Sequence, residues 1–395
     1  EMLAKMPVKS IGQASGVTSQ RSLISGIDQC IEGTNVVLDT LNVQGIPLHP
    51  AYPEKFYPEE TWSRTGKSKD ISIGFCNTNR IKREFSQRKA FIKAAREWIK
   101  DVPEDEQVVI FLYEPVICRL SAVKEVVRHH KNTVCTLIVP DIPEFVGERG
   151  NALWRFLGFL RKQLTDRMLC YVDRYVLYAE KMAEYYHVKP DRYIIIEGSI
   201  DLRDSYYLQE KQLNSEQFIL LYSGAITKER AIPEFVKAFM EYPDPDVRLW
   251  LTGSGNCDEW IRMCEKKDPR IHHFGFLNTR EEVLEKEAQA TALLHIRDPK
   301  AVSSSYCFPS KLFEYLASGK PVISVCIPGV PDEYYSYMID IPELTNEGVA
   351  NAIERVKGMT SSERQQFGAK ARAFVINEKS SRVQAKKLLD FVLKG

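Results

Sequence analysis

Phe308-Pro-Ser-Lys-Leu-Phe-Glu-Tyr-Leu-Ala-Ser-Gly-Lys-Pro-Val-Ile323 carries the signals for both ends of one helix. Pro309 suits a first helical turn, because the backbone N–H that it lacks has no partner there, and Ser310 can cap the same end. Gly319 suits the left-handed residue that often follows a helix. The pattern therefore predicts a helix over 311–318, followed by a buried strand.

Two charged residues lie on one face of this predicted helix. The free N–H groups at a helix start attract anions such as a diphosphate. Lys311 stands in the first turn, where the helix dipole disfavours a cation, and a bound anion would explain it. Glu314 follows one turn later, within reach of two hydroxyls of a ribose. An ordinary surface helix with a Lys–Glu pair explains the same spacing, and the spacing alone leaves both interpretations open.

Apolar strand-like runs alternate with helix-like runs along the rest of the chain. In the first half, strands are predicted at 36–38, 71–75, 108–112, 133–139, 175–178 and 193–196. In the second half, they are predicted at 218–222, 247–251, 271–274, 292–296 and 321–325. Such alternation indicates parallel sheets covered by helices on both faces. The sequence thus predicts two doubly wound α/β halves, with ligands beyond the carboxyl ends of the strands, in the cleft between the halves.

The segment 308–323 resembles the donor-binding segment of glycosyltransferase family 4, and especially of members that build bacterial exopolysaccharides and capsules. The family consists of retaining enzymes of the GT-B fold, with two Rossmann-like domains facing across a cleft. The likeness covers about 218–335 and, more loosely, 170–201. It implies an N-terminal acceptor domain at 1–201, a linker at 202–216, a nucleotide-sugar domain at 217–377 and a C-terminal helix at 378–395 that crosses back to the first domain. The chain opens on Glu1 without a first strand, so a short preceding segment is expected to be missing.

The resemblance assigns roles to residues of the second half. The family's glutamate matching Glu314 holds the ribose, and the helix start at Ser310 and Lys311 holds the diphosphate. After the strand at 218–222 the family usually reads Gly-Arg and, five residues on, Lys-Gly, and both basic residues contact the diphosphate. This chain has Gly224-Ala225 and then Arg230, so half of this clamp is retained.

Further donor contacts are implied in three loops. Gly253 and Gly255 match a turn that borders the nucleotide, and Phe276 and Leu277 match the segment whose backbone contacts the base. The family commonly has a second glutamate eight residues before the one matching Glu314. Here that residue is Tyr306, so recognition of the donor sugar is undefined, and the loop 303–307 is an alternative source of hydroxyl groups.

The first half gives weaker signals. Asp141 follows a predicted strand and resembles a polar residue that orients the acceptor hydroxyl, although a capping aspartate explains it equally well. Glu114 has the same two interpretations. The segment 151–167 interleaves aromatic and basic residues. It predicts either a basic amphipathic helix resting on a membrane or a helix packed on the sheet with its basic ends in solvent.

Composition limits the class of protein. The chain has 395 residues, of which 44% are apolar and 27% charged, as expected for a soluble protein of two domains. Its net charge of +1 provides no overall field for nucleic acid. The nine cysteines contain no CxxC pair, and the histidines form no metal-binding pattern, so neither disulfides nor a metal site is expected. Without a run of about 18 apolar residues, a cytoplasmic location is predicted, at most at the inner face of a membrane.

The sequence leads to a metal-independent, hexosyltransferase-type glycosyltransferase that acts with retention. Its donor would be a nucleotide-diphosphate sugar of the UDP or GDP type, with no further cofactor, and its acceptor a saccharide or lipid-linked oligosaccharide. Arg230, Lys311 and the helix start would stabilise the diphosphate charge. Two alternatives stay open: a non-catalytic GT-B subunit that binds a partner or a glycan, favoured by Tyr306 and Ala225, and a GT-B sugar-nucleotide epimerase.

Overall fold

The computed structural model describes residues 11–142, 152–203 and 217–393. The described chain divides into two compact units. We call them the N-terminal unit, which holds the described residues of 12–197 and 384–395, and the C-terminal unit, which holds those of 198–383. Most of the predicted linker, residues 204–216, lies outside the described residues.

The N-terminal unit contains a four-stranded parallel sheet and two smaller pieces of sheet. Its strands are β1 (Thr40–Asn42), β2 (Phe56–Tyr57), β3 (Glu60–Trp62), β4 (Asp70–Ser72), β5 (Phe75–Cys76), β6 (Val108–Tyr113), β7 (Thr133–Val139), β8 (Arg174–Leu177) and β9 (Tyr193–Ile195). Its helices are α1 (Ile11–Ile31), α2 (Arg80–Ile99), α3 (Ile117–His129), α4 (Ala152–Met168) and α5 (Lys181–Tyr185). Strands β6 to β9 pair in sequence order and are parallel, as predicted.

The prediction of a strand at 36–38 was wrong. The first strand instead begins at Thr40, where β1 pairs in parallel with β4, while β3 pairs with β4 and β2 with β5 in antiparallel fashion. The two valines of 36–38 are exposed. The side chain of Arg64 donates to the Leu38 carbonyl and forms an ion pair with the buried Asp70. Polar contacts between distant residues therefore position these strands, and a local apolar pattern does not reveal such contacts.

The C-terminal unit is built around one parallel sheet. Its strands are β10 (Phe218–Ser223), β11 (Val247–Thr252), β12 (Ile271–Gly275), β13 (Ala292–His295), β14 (Val322–Val325) and β15 (Ile339–Ile341). Its helices are α6 (Ile232–Glu241), α7 (Asp258–Lys267), α8 (Arg280–Gln289), α9 (Lys311–Ala317), α10 (Asn346–Gly358) and α11 (Ser361–Lys379). The last helix described, α12 (Ser381–Leu393), begins in this unit, and residues from 384 onward belong to the N-terminal unit.

The strand order in the C-terminal sheet is β12-β11-β10-β13-β14-β15. The order reverses between β10 and β13, which are parallel neighbours although two other strands separate them in sequence. Leu294 belongs to the apolar core that also contains residues of α6, α7 and α10. Because side chains alternate along a strand, His295 points to the opposite face of the sheet.

Helix α11 crosses the end of α9 at a position that only glycine fits. Gly319, just after α9, has a left-handed backbone with φ +75°. A Cβ atom added to Gly368 of α11 would lie 1.8 Å from the Gly319 carbonyl oxygen. The side chain of Arg372 on α11 also donates to the carbonyl of Ala317, the last residue of α9. The end of α9 is thus held by direct contact with the backbone of α11.

We predict that Gly368→Ala lowers the free energy of unfolding by about 1–3 kcal/mol, because the added methyl group must push the two segments apart. The matched control is Gly358→Ala at the end of α10, where a Cβ atom would meet nothing within 4 Å. This variant should be neutral or more stable, since alanine favours helices. Urea unfolding of both variants measures the difference, and equal stabilities would contradict the prediction.

Candidate functional site

The carboxyl edge of the C-terminal sheet brings together polar residues from three neighbouring strands. Ser223 ends β10, His295 ends β13 and Ser324 lies in β14, opposite His295 in the strand register. The Nζ atom of Lys311 donates to the Ser223 hydroxyl over 2.7 Å. The hydroxyl of Tyr315 on α9 also bonds to both the N–H and the carbonyl of Ser223, each over 3.1 Å. These hydrogen bonds hold α9 against the end of β10, next to the point where the strand order reverses.

Lys311 lies at this edge, but a nearby buried carboxylate already balances part of its positive charge. Its Nζ atom is 4.0 Å from a carboxylate oxygen of Glu287, which is only 4% exposed, and 5.4 Å from the ring centre of Tyr315. Helix α9 has seven residues, and the Ser310 side chain makes no capping hydrogen bond. The prediction that Ser310 caps this helix was therefore wrong, because its backbone is already helical, whereas a capping residue has an extended backbone.

Glu314 lies one turn after Lys311, as the spacing predicted. The residue is half-buried. Its carboxylate forms no hydrogen bond or ion pair with the described residues. A half-buried carboxylate without an internal partner is available to accept hydrogen bonds from hydroxyl groups of a ligand.

Arg230 ends a short 3₁₀ helix, Lys228–Arg230, that follows the loop after β10. It is half-buried, whereas Lys228 is exposed. Within the described parts of the chain, the guanidinium of Arg230 forms neither a hydrogen bond nor an ion pair. Ala231, the next residue, has φ +54°, a left-handed backbone that costs an alanine about 1–2 kcal/mol. Glycine would adopt this conformation without that cost.

His295 is 6% exposed and was not singled out from the sequence, although it lies in a predicted strand. Its Nδ1 atom lies 2.9 Å from the hydroxyl of Ser324, which itself donates to the Val325 carbonyl over 3.2 Å. The other ring nitrogen, Nε2, donates or accepts according to the tautomer of the neutral ring. That Nε2 atom is buried and has no hydrogen-bond partner among the described residues.

Burial lowers the pKa of His295 to about 3, with further contributions from the positive charges of Arg297 and Arg230. Arg297 follows β13 and was also missed by the sequence analysis. A cation in the loop after a buried strand of a doubly wound sheet is the signal that would have found it.

The predicted glycines lie in loops that contact each other through their backbones. A Cβ atom on Gly253 would lie 1.8 Å from the Gly224 carbonyl oxygen, and one on Gly255 would lie 2.2 Å from the Ile226 carbonyl oxygen. Backbone hydrogen bonds join the same loops, from Gly224 N–H to Thr252 over 3.0 Å and from Gly253 N–H to Gly275 over 2.8 Å. The close packing of the loops after β10, β11 and β12 therefore requires glycine at positions 253 and 255, whether or not a ligand binds there.

The remaining predicted residues of the C-terminal unit lie in loops after β12 and β13. Phe276 is exposed and Leu277 half-buried. Tyr306 is half-buried and follows a 3₁₀ helix, Val302–Ser305, in the segment predicted as a loop. Ser304 in that helix is fully buried, and its hydroxyl donates to the Asp298 carbonyl over 2.6 Å. This hydroxyl is thus used internally, while Ser303 and Ser305 are partly accessible.

In the N-terminal unit, Asp141 follows β7, and Glu114 follows the neighbouring β6. Both acidic groups act on the buried hydroxyl of Tyr178, whose pKa is raised to about 12, mainly by burial. Glu114 forms an ion pair with Arg119 over 3.3 Å and has φ +63°. The structure thus brings the two acidic residues singled out in the first half to the carboxyl edge of the same sheet.

Metal-ligating side chains and a surface cavity provide no further candidate site among the described residues. No group of three or more His, Cys, Asp or Glu side chains in the described residues is arranged to hold a metal ion. A cavity of about 400 Å³ opens at the amino-terminal edge of the C-terminal sheet, beside Arg270. Arg270 is already bound to the Asp268 carboxylate and to carbonyls of 239–244, so its donors are occupied.

We predict that His295 makes the protein less stable in acid. Folded His295 stays neutral, whereas an unfolded histidine takes up a proton near pH 6.5. As the pH falls below about 6, the wild type should therefore lose about 1.4 kcal/mol of unfolding free energy per pH unit through this residue. His295→Gln removes this dependence, while His272→Gln on β12 retains it. Urea unfolding between pH 7 and 5 measures the slopes, and equal slopes for wild type and His295→Gln would refute the assignment.

One family model and several solved structures are similar to this chain. The family model described as "Glycosyl transferases group 1" matches residues 217–357, which include the whole edge described above. Comparison with curated protein sequences finds no match.

Three solved structures resemble the chain over most of its length. HepE from Anabaena in complex with UDP has a TM-score of 0.56 at 10% identity, covering 83% of this chain and 86% of that one. Sucrose-phosphate synthase from Thermosynechococcus elongatus has a TM-score of 0.60 at 16% identity, covering 92% and 90%. A trehalose-6-phosphate synthase studied with bisubstrate glycomimetics has a TM-score of 0.65 at 10% identity, covering 94% and 96%. These likenesses confirm the predicted fold class, an α/β protein of the GT-B type with two Rossmann-like domains.

Proposed function

We propose that the protein is a GT-B glycosyltransferase that moves a sugar from a nucleotide-diphosphate donor to an acceptor hydroxyl. The observation that carries this proposal is the position of Arg230, Lys311 and Glu314 at the reversal of strand order. This is where doubly wound sheets bind nucleotides. The match of residues 217–357 to group 1 glycosyltransferases supports it, and HepE binds UDP and UDP-glucose.

Each of these side chains would contact a different part of the donor. Glu314 would accept hydrogen bonds from the two ribose hydroxyls, because its carboxylate has no partner among the described residues. Arg230 and Lys311, with the start of α9 at Ser310, would bind the diphosphate. The packed loops at Gly224, Gly253 and Gly255 would border the nucleotide. The backbone of Phe276 and Leu277 would contact the base, and Tyr306 would border the sugar. The donor class is a UDP or GDP sugar, and no further cofactor is proposed.

The proposed reaction retains the configuration of the sugar. The bond between the anomeric carbon and the diphosphate oxygen breaks, and a bond from the acceptor oxygen to the anomeric carbon forms on the same face. The acceptor proton passes to the departing phosphate oxygen. The arginine and lysine charges stabilise the leaving diphosphate, so activity should not require a divalent cation. Asp141 is proposed to orient the hydroxyl of a saccharide or lipid-linked acceptor.

The donor site is tested with Glu314→Ala and Lys311→Ala. Loss of a hydrogen bond to a charged group costs about 1.5–3 kcal/mol, so UDP or GDP binding and sugar transfer should weaken about 10- to 100-fold. The readouts are calorimetry with UDP and GDP and transfer from a panel of nucleotide sugars. The control is Glu285→Ala, an exposed glutamate on α8 that should leave both unchanged.

Two outcomes would decide against the proposal. Wild-type transfer by both variants would remove the assigned donor site. A wild-type protein that binds neither nucleoside diphosphate would favour the non-catalytic subunit, as Ala225 and Tyr306 suggested. Release of free nucleotide only when an acceptor is present would argue against the epimerase.

We also propose that α4 docks on an anionic membrane surface, where a lipid-linked acceptor would be presented. Phe156, Phe159, Leu160 and Leu164 lie along one side of α4 and are all exposed. Arg161 of α4 forms an ion pair with Glu84 of α2 over 3.2 Å. Helix α2 has seven basic and two acidic residues, a net charge of +5, and its Phe85 is exposed as well. Exposed apolar side chains beside basic ones fit the boundary between lipid chains and anionic headgroups.

Membrane docking is tested with Phe156→Ser/Phe159→Ser and flotation on vesicles of phosphatidylcholine with or without phosphatidylglycerol. The wild type should bind only the anionic vesicles, and the double variant should lose this binding because the apolar anchors are gone. Met263→Ser replaces an exposed apolar residue of α7 in the C-terminal unit and should bind like the wild type. Binding that survives the double variant would refute this surface. None of the helices in the described parts of the chain is long and apolar enough to span a bilayer.

A further inference from the structure

Arg297 is a half-buried cation in the loop after β13 whose partners are all neutral. Its Nε atom donates to the Ser304 hydroxyl over 3.2 Å, and an Nη atom lies 3.6 Å from the Cys307 sulfur. No carboxylate in the described ranges forms an ion pair with it. Two of its five donors are thus engaged, and its charge is not balanced locally.

Arg230, in the short 3₁₀ helix that follows the loop after β10, is likewise a half-buried cation without an ion pair among the described residues. Arg297 follows the end of β13, and Arg230 follows the end of β10, so the two arginines flank the reversal in strand order. Both charges act on the same two buried groups, Tyr222 and His295. Two half-buried guanidinium groups that share neighbours repel each other, and an anion bound between them would remove this cost.

Lys311 differs from the two arginines because the buried Glu287 already lies near its Nζ atom. Of these three residues, the two without an ion pair among the described residues are Arg230, which the family pattern indicated, and Arg297, which it did not. The family's other basic residue is absent, since position 225 is an alanine. The Tyr222 hydroxyl donates to the Ala225 carbonyl over 2.9 Å, and the charge of Arg297 acts on this same hydroxyl.

We propose that Arg297 replaces the basic residue missing at Ala225 and, with Arg230, binds the diphosphate of the donor. This inference rests on the proposed function and adds a residue to its binding site. Guanidinium groups match phosphate oxygens with paired hydrogen bonds, and two of them fit a group with two phosphates better than a single phosphate. His295, on which both charges act, has a buried Nε2 atom without a hydrogen-bond partner among the described residues.

A purely structural role for Arg297 is the competing explanation, because its bond to Ser304 also holds the 3₁₀ helix in place. The two roles predict different losses of ligand affinity when Arg297 is replaced. Loss of a loop support weakens binding of every ligand that uses the loop. Loss of a phosphate contact weakens the diphosphate selectively and leaves the nucleoside part unaffected.

The experiment measures binding of UDP, UMP and uridine, and of GDP, GMP and guanosine, by calorimetry with the full chain. Arg297→Gln should weaken the nucleoside diphosphate about 10- to 100-fold, the monophosphate less and the nucleoside not at all. Arg297→Lys, which keeps the charge but not the paired donors, should fall between the wild type and Arg297→Gln. Lys300→Gln removes an exposed cation from the same loop and should bind all ligands like the wild type.

The outcomes separate this inference from the proposed function. Unchanged diphosphate affinity in Arg297→Gln would overturn the role of Arg297 and leave the donor site intact. An equal loss for diphosphate, monophosphate and nucleoside would also overturn it, in favour of the loop support. A wild-type protein that binds no nucleoside diphosphate would overturn the proposed function itself, and this inference with it.

Discussion

The hydrogen-bonded pairing of β10 with β13 is the interaction on which the candidate site depends. It places Leu220 opposite Ala292, although two strands and three helices separate these residues in sequence. All later residues of both strands are then in register, so the two strand ends lie side by side. The loops that leave these ends turn to opposite sides of the sheet, because the strand order reverses here. The crevice, its cations and its buried histidine follow from this single pairing.

Much of this fold could be predicted from sequence because buried parallel strands have a clear local signature. Strand β7 occupies the residues that its continuous apolar run predicted, and α9 begins at Lys311, as the pattern of 308–323 predicted. Helix α8 begins at a Thr279–Glu282 capping box, whose signal is contained in four adjacent residues. Elements whose limits depend on adjacent residues are the ones that the sequence located well.

The parts that sequence did not reveal depend on contacts between distant residues. Strand β1 is positioned by the ion pair of Arg64 with Asp70, and neither residue lies near it in sequence. The capping role predicted for Ser310 failed because the helical turn already begins at this residue. The cation at Arg297 was missed because no local motif contains it. Its significance appears only when the strand order shows that β13, which it follows, is the neighbour of β10, which precedes Arg230.

The three loops after β10, β11 and β12 are joined by backbone hydrogen bonds and by glycines that allow direct contact. A loop that is free in solution loses about 1–2 kcal/mol of conformational entropy for each residue that a ligand orders. In this protein, that loss has already occurred during folding, because Gly224, Thr252 and Gly275 hold one another in place. Binding energy from any ligand at this edge is therefore not spent on ordering the loops, and the crevice is preorganised before the ligand arrives.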